Sequence, residues 1–468
     1  MTDVNMKENK MGVMPVTRLL ISMSLPMMFS MFVQALYNIV DSVFVSRISE
    51  EALTAVSLGF PFQTLMISFA TGTCVGINAL LSMRLGQKDQ QAVNATALNG
   101  IFLAVCNYAV FFIIALVSIE PYLASQTSNP VIIQYGKEYL SVVMFAGFGL
   151  FLGVTFDRLL QSTGKTFHTM ITQLIGAITN IIFDPVLIFG LGPFPQMGIM
   201  GAAVATVAGQ ILGAIVSVVF NLKFNNEIQF SFKKFRPNSF IIVQIYKVGL
   251  PSIILQAVGS FTTYGMNLVF KTFREISDTI IAFYGAYFKL QSLIFMPVFG
   301  LNNGVIPIVA YNYGARNKHR MLHAIKLSAT FACGVMIIGM LIFLSVPGLL
   351  LSLFDASAQM LSIGEPALRI ISTSFAFAGV CIAMGSVFQA LGRGTYSMIV
   401  SFVRQLVVLV PCAYLLARWG LSIGNNDLVW LSYPIAEVFS LAVTLILFTR
   451  LYRKVIAPME DSGAAVHG

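Results

Sequence analysis

The chain has 468 residues, of which 57% are hydrophobic and only 10% are charged, with a mean hydropathy of +0.82. This composition excludes a soluble globular protein and indicates a polytopic membrane protein. The net charge of +9 does not indicate nucleic-acid binding, because Lys and Arg cluster in the short segments between apolar runs.

Apolar runs long enough to cross about 30 Å of hydrocarbon recur along the whole chain. They lie at 17–46, 53–82, 93–118, 136–158, 167–190, 198–221, 241–270, 279–310, 321–346, 363–390, 396–418 and 429–451. The sequence therefore predicts an all-α membrane protein with twelve transmembrane helices.

The basic residues predict the orientation of these helices. If the N-terminus is cytoplasmic, twenty Lys and Arg residues fall on the cytoplasmic side and six on the opposite side. Positively charged loops are typical of the cytoplasmic face. We therefore expect a multi-pass membrane protein with both termini in the cytoplasm.

The two halves of the chain repeat each other. Identical residues recur at an offset of 228 positions, and Leu25-Pro26 recurs as Leu250-Pro251 at an offset of 225, which needs a gap of three residues. Six spans in each half predict two parallel, pseudo-symmetric bundles related by an axis along the membrane normal. The predicted division is an N-terminal lobe (1–221), a basic linker (222–240), a C-terminal lobe (241–454) and a polar tail (455–468). The repeated pairs are Gln63/Gln291, Leu65/Leu293, Gly72/Gly300, Gly76/Gly304, Gly86/Gly314, Gln161/Gln389 and Gly164/Gly392.

The first span carries a polar stripe. Gln34, Asn38 and Asp41 follow a seven-residue spacing, and Tyr37 lies one turn before Asp41, so a helix places these polar groups on one stripe. A carboxylate within a membrane span costs about 2.5–3.5 kcal/mol on insertion scales, and such groups normally face a protein interior or a wet cavity. The alternative is that Asp41 marks the aqueous end of its helix.

A second acid, Asp184, lies at a similar predicted depth in the fifth span. Asn180 is one turn earlier, and Thr206 is at a comparable level in the sixth span. Two acids in one poorly hydrated pocket cannot both ionise without a large electrostatic cost. The pattern predicts a coupling-ion site, with Asn180 and Thr206 as neutral partners or as oxygen ligands of Na+. The alternative is two separate acids at helix ends.

Other charges within spans are few. Asp157 lies near a cytoplasmic end, and we expect it to pair with Arg158. In the second half Asn267 stands where Asp41 would map. Charge there comes from Lys289, Arg404 and Glu437, which form either a buried ion-pair network that positions helices or a site where Glu437 contacts a cationic substrate. The amides Gln256 and Asn267 are expected to join this polar network.

Five segments resemble the multidrug and toxin extrusion (MATE) family, in particular its MepA/DinF-like branch. They are LPMMFSMFVQALYNIVDSVFV, NIIFDPVLIFG, GIMGAAVAT, FKLQSLIFMPVFGLNNG and VFQALGRG. The resemblance implies a V-shaped pair of lobes that exports organic cations in exchange for H+ or Na+, and a location in the bacterial inner membrane. It also implies that Asp41, Asn180 and Asp184 form an ion network with Tyr139 and Thr206, and that Pro26 permits bending of the first span.

The chain departs from the sodium-coupled branch of the family, which often carries acids on spans seven and ten. Span seven has Gln256 and Asn267 instead, and span ten has an acid, Glu365, only at its outer edge. We therefore expect proton coupling, with Na+ at Asp41, Asn180 and Asp184 as the alternative. The predicted protein is a multidrug antiporter, not an enzyme, and needs no cofactor. Its expected partners are small organic cations and membrane lipid; no nucleic acid is expected, and it should be a monomer.

The alternative function is that of a lipid-linked oligosaccharide flippase, which would need a cationic cavity for pyrophosphate. An intramembrane enzyme would need a nucleophile, base or metal-ligand set at one level of the membrane, and the sequence shows none.

Overall fold

The computed structural model describes residues 9–231, 233, 235–354 and 356–460, without the side chains of 42, 46, 50, 274, 275 and 278. The described residues form α1 (Lys10–Val13), α2 (Val16–Ser46), α3 (Glu50–Gly86), α4 (Gln90–Gln126), α5 (Pro130–Phe145), α6 (Phe148–Ser162), α7 (Thr166–Phe189), α8 (Gly198–Phe224), α9 (Ser239–Phe270), α10 (Ser277–Gly314), α11 (Lys318–Ser345), α12 (Pro347–Ser352), α13 (Ala358–Ser372), α14 (Phe375–Ala390), α15 (Gly394–Phe402), α16 (Val410–Ile423) and α17 (Ser432–Leu451). Short 3-10 helices occupy Lys271–Ile276 and Asn426–Leu431, and π-helical turns occupy Val403–Leu409 and Tyr452–Ile456.

The prediction of an all-α polytopic membrane protein is confirmed. In the described part of the chain, ten helical segments are long and apolar enough to cross a membrane, and two bent helix pairs bring the number to twelve. The bent pairs are α5 with α6, at 42°, and α13 with α14, at 51°. The sequence predicted each pair as one uninterrupted span, because hydropathy reports length and not direction.

The two halves meet along a surface that we call the seam, where α2 and α3 pack against α10 and α9. Repeated glycines permit this packing. A Cβ at Gly72 or Gly76 of α3 would collide with the α9 backbone, and a Cβ at Gly300 or Gly304 of α10 would collide with α2. Glycine is needed here for close backbone approach.

Hydrogen bonds also cross the seam. Ser24 Oγ donates to the Leu301 carbonyl at 3.3 Å, and Arg84 Nη2 lies 3.2 Å from Gln244 Oε1. At a middle level, Thr71 Oγ1 donates to Gln256 Oε1 at 3.0 Å. The seam therefore joins the halves from the loops that carry the basic residues, here called the basic end, to about mid-membrane.

The described N-terminal segment, 9–14, lies across the seam at the basic end. Asn9 Nδ2 donates to the Thr163 carbonyl of the first half at 3.0 Å and lies 3.2 Å from Glu227 Oε1 of the linker that follows it. In the second half, Arg320 Nη2 donates to the carbonyls of Met14, at 2.6 Å, and Met11, at 3.2 Å. This segment thus ties the two halves together at their closed end.

Candidate functional site

Two carboxyl groups from different helices meet inside the first half. Asp41 lies on α2 and Asp184 on α7, and these helices pack against each other. Asp184 is fully buried, and its carboxyl group lies within reach of a hydrogen bond to that of Asp41. An ionised carboxylate only accepts hydrogen bonds, so a hydrogen bond between the two groups would need a proton on one of them.

Asn180 and Thr206 complete one side of this pair. The Asn180 amide nitrogen lies 3.4 Å from Asp184 Oδ1 and 3.3 Å from Thr206 Oγ1. If the Asn180 side-chain amide is flipped, so that its oxygen and nitrogen exchange places, the nitrogen donates to Asp184 Oδ2 at 3.3 Å. The oxygen then accepts from the Thr206 backbone N–H at 3.3 Å. The turned orientation satisfies both ends of the amide, so we adopt it. In either orientation Asn180 donates to Asp184.

Two tyrosines lie near the carboxyl pair. Tyr37 is hydrogen-bonded to Gln34 on the same helix and lies close enough to Asp41 and Asp184 for an electrostatic interaction. Tyr139 of α5 is 3% exposed, and its hydroxyl oxygen accepts a hydrogen bond from Gln63 Nε2 at 3.0 Å.

The structure therefore brings Asp41, Asp184, Asn180, Thr206, Tyr37 and Tyr139 into one region, with Gln34 bonded to Tyr37. Asn38 lies on the same helix and is exposed. Gln63 was missed by the sequence analysis, because an amide in an apolar run does not show by itself which hydroxyl it meets.

A cavity of about 160 Å³ runs through the first half between α2, α6, α7 and α8. Tyr37, Asn180 and Thr206 line the end next to the carboxyl pair. Gln210 also lines it, and its Oε1 is buried without a hydrogen-bond partner in the described structure, as is Asp41 Oδ1. The complete lining is Ser30, Gln34, Tyr37, Gly149, Leu150, Gly153, Val154, Asp157, Thr172, Gln173, Gly176, Ala177, Asn180, Thr206, Gly209, Gln210, Gly213 and Ala214.

The opposite end of this cavity contains a third carboxyl group, Asp157 of α6. The expectation that Asp157 pairs with Arg158 is wrong. Asp157 bonds instead to neutral groups on α7 and α8, while Arg158 Nη1 donates to Gln161 Oε1 at 2.9 Å and to Asn303 Oδ1 at 2.8 Å. Consecutive residues on a helix point in different directions, so adjacency in sequence was a poor guide to pairing.

Lys289, Arg404 and Glu437 of the second half do not form one network. Arg404 lies in the π-helical turn Val403–Leu409, and its Nη1 forms a salt bridge of 2.9 Å with Glu437 Oε1. Lys289 is exposed and lies over the Phe354 ring, 6.0 Å from its centroid, so its predicted place beside Arg404 and Glu437 is wrong. A long lysine side chain can reach solvent from a position well inside its helix.

The amides predicted to join this network are placed elsewhere. Gln256 bonds across the seam to Thr71. Asn267 is half-buried on α9, and its Oδ1 has no hydrogen-bond partner in the described part of the chain.

A second cavity, of about 170 Å³, lies at the basic end and is lined by Arg393, Tyr396, Arg450, Leu451, Lys454 and Val455. Its lining contains three cations and no acid. It therefore does not fit a cation site, and the acidic cavity of the first half is the candidate functional site.

Comparison with known proteins supports one family. The MatE family model matches residues 26–186 and 251–415, which is one match in each half of the chain. The multidrug export protein MepA of Staphylococcus haemolyticus is 25% identical over 415 residues, 88% of this chain and 89% of that protein. The FAD transporter of Shewanella oneidensis is 24% identical over 464 residues, 96% of this chain and 98% of that protein.

The solved structures agree on the fold. A structure described as the outward-facing conformation of a multidrug resistance MATE family transporter of the MOP superfamily superimposes with a TM-score of 0.89 at 23% sequence identity. The match covers 96% of this chain and 99% of that one. The two-part match of the family model, the twelve-span fold and the relatives over nearly the whole chain give one conclusion: the chain belongs to the MatE family, the multidrug and toxin extrusion (MATE) membrane transporters, and is not an enzyme.

Proposed function

We propose that the protein is a multidrug antiporter that exports organic cations in exchange for protons, with the Asp41–Asp184 pair as the coupling site. The observation that carries this proposal is the close approach of the two carboxyl groups, from α2 and α7, among the neutral side chains Asn180, Thr206 and Tyr37. Such a pair can hold a proton or release it, and releasing it leaves negative charge that attracts a cation. The names of the MepA relatives, multidrug export proteins, agree with this substrate class.

The closed seam at the basic end supports a direction of proton movement through the protein. We place the basic end in the cytoplasm, in a bacterial inner membrane, because positive loops are typical of that side. The conformation is then closed to the cytoplasm, and the carboxyl pair takes up its proton from outside. Opening of the basic end releases the proton inward. Proton and cation must favour different conformations for the two movements to be coupled.

Energetics constrain the stoichiometry. Moving one charge through 100 mV supplies about 2.3 kcal/mol, which sustains a concentration ratio of about fiftyfold. Exchange of one proton for one monovalent cation moves no net charge, so it must be driven by a pH difference. Exchange of two protons for one such cation also uses the membrane potential.

Na+ is the alternative coupling ion. Asp41, Asp184, Asn180 and Thr206 present oxygen atoms in one region, and Na+ favours oxygen ligands as other hard cations do. The close approach of the two carboxyl groups favours the proton, because one proton shared between them relieves their mutual repulsion and supplies the donor that two ionised carboxylates lack.

Export of an anion such as FAD, or flipping of a pyrophosphate-linked sugar, is disfavoured by the same site. The cavity and its neighbours contain Asp41, Asp157 and Asp184, and its lining includes no cation. Desolvating an anion beside these carboxyl groups would cost more than desolvating a cation.

The test is transport in proteoliposomes with ethidium, a permanently charged aromatic cation, as the probe. A pH gradient and a Na+ gradient are imposed separately. We expect the pH gradient alone to drive transport, and Asp41→Asn and Asp184→Asn each to abolish it. Glu120→Gln is the matched control, because this carboxylate is 70% exposed and lies outside the cavity. Driving by Na+ alone, or wild-type rates in either Asn variant, would overturn the proposal.

A further inference from the structure

Asp157 is a buried acid that the proposed coupling site does not use. It is 8% exposed and lines the same cavity as Tyr37, Asn180 and Thr206, at the end nearer the basic loops. Thr172, which bonds to it, lies six residues after the start of α7, a rise of about 9 Å along a helix.

The hydrogen bonds of Asp157 are complete in either protonation state. Thr172 Oγ1 lies 2.6 Å from Asp157 Oδ1 and 2.7 Å from the Thr169 carbonyl, and Ser217 Oγ lies 2.8 Å from Oδ1. When Asp157 is ionised, both hydroxyls donate to it. When it is protonated, Oδ1 donates to Thr172, whose own proton turns to the Thr169 carbonyl, while Ser217 still donates to Oδ1. The site can therefore gain and lose a proton without leaving an unpaired buried group.

Few charged groups in the described structure act on Asp157. Arg158 and the Cys74 thiol of α3 are the titratable groups whose charge acts on Asp157 in the described structure. Arg158 is bonded to Gln161 and to Asn303 of α10, and Cys74 is bonded to Thr155 at 3.3 Å. The groups that α7 and α8 direct at Asp157 are neutral.

A polar connection links Asp157 to the helix that carries Asp41. Gln173 Nε2 donates to Asp157 Oδ2 at 3.3 Å, and Gln173 Oε1 accepts a hydrogen bond from Ser30 of α2. Ser30, Gln34, Tyr37 and Asp41 follow one another at steps of four, three and four residues, so they form one stripe about 16 Å long. The cavity beside this stripe has room for several water molecules.

We propose that Asp157 is a second proton-binding site of the transporter, which receives a proton from the Asp41–Asp184 end of the cavity and releases it towards the basic end. This inference rests on the proposed function for its direction, but proton binding by Asp157 does not depend on which substrate is exported.

The test is an infrared titration of the purified full-length protein without substrate, from about pH 5 to about pH 9, the range where a perturbed carboxyl group titrates. We expect a carboxylic-acid C=O band that disappears as the pH rises and that is lost in Asp157→Asn but kept in Asp184→Asn. An unchanged set of titrating bands in Asp157→Asn overturns the proposal.

A second variant keeps the proposal testable if Asp157→Asn does not fold. Ser217→Ala removes one hydrogen bond to Oδ1 and no charge, so it must shift the midpoint of the Asp157 band; an unchanged midpoint overturns the proposal. Because the bands are read without substrate, they distinguish this inference from the proposed function. If the wild type transports ethidium in response to a pH gradient but shows no Asp157 band, the proposed antiporter function is retained and Asp157 as a second proton-binding site is rejected.

Discussion

Gly86 of α3 and Gly314 of α10 occupy equivalent positions in the two halves, and each contacts the backbone of the helix that carries the other. A Cβ at Gly86 would overlap the Tyr311 carbonyl oxygen, and a Cβ at Gly314 would overlap that of Met83. Met83 and Tyr311 are themselves 228 residues apart, the offset of the repeat. The basic end is thus closed by a reciprocal backbone contact that the pseudo-symmetry of the chain creates.

We therefore predict that Gly86→Ala and Gly314→Ala each open the basic end. The added methyl group must displace a backbone carbonyl, and steric overpacking of this kind costs about 1–3 kcal/mol. Distance measurements between spin labels on α3 and α10 should show a wider basic end, and ethidium transport should fall. Gly285→Ala is the control on the same helix, since its Cβ would meet nothing within 4 Å. Normal distances in both seam variants would contradict the account.

Arg320 should hold the N-terminal segment in place. Its guanidinium donates to two carbonyls of that segment, and hydrogen bonds to charged groups contribute about 1.5–3 kcal/mol. Arg320→Ala should raise the labelling rate of a cysteine placed at Asn9 by about tenfold or more. Lys318→Ala is the control, because Lys318 donates to the Ala457 carbonyl instead. Equal labelling rates in the two variants would exclude the tie across the seam.

Lys10 should make the same segment pH-sensitive. Burial, followed by the charge of Lys165, lowers the pKa of Lys10, against an opposing effect of Glu227. A lowered pKa means that binding of the segment 9–14 across the seam, here called docking, disfavours the charged form of Lys10. Docking should therefore strengthen as the pH rises through the pKa of the docked lysine and weaken below it. Lys10→Met should dock more tightly than the wild type at neutral pH and lose this dependence, as measured by labelling at Asn9. Weaker docking of the Met variant would reverse the sign and refute the prediction.

Substitutions at the Arg404–Glu437 pair can distinguish a pair that only positions helices from a site where Glu437 contacts a cationic substrate. Removing one partner of a buried pair costs about 3–5 kcal/mol, whereas replacing both by apolar residues is often neutral. Glu437→Gln should therefore lower the melting temperature, and Arg404→Met with Glu437→Leu should restore it. If the pair only positions helices, the double variant transports ethidium normally. Loss of transport in a stable double variant would assign Glu437 to substrate binding instead.

Much of the fold could be predicted from the sequence, because hydropathy and the 228-residue repeat report span number and helix pairing. The bends between α5 and α6 and between α13 and α14 could not, because apolar composition does not encode direction. For the site, Asp41 and Asp184 were recognisable as costly charges in apolar runs. The partners of Asp157 were not, because they depend on how α6, α7 and α8 rotate against each other. Lys289 was misplaced for the same reason.

The most direct test of the central claim is proton release on cation binding. Ethidium is added to the purified protein in weakly buffered detergent solution, and the pH is followed with a dye. The account predicts that the wild type releases protons, that Asp41→Asn and Asp184→Asn release fewer, and that Glu120→Gln matches the wild type. Ethidium binding without proton release from the wild type, or equal release from both Asn variants and the wild type, would contradict it.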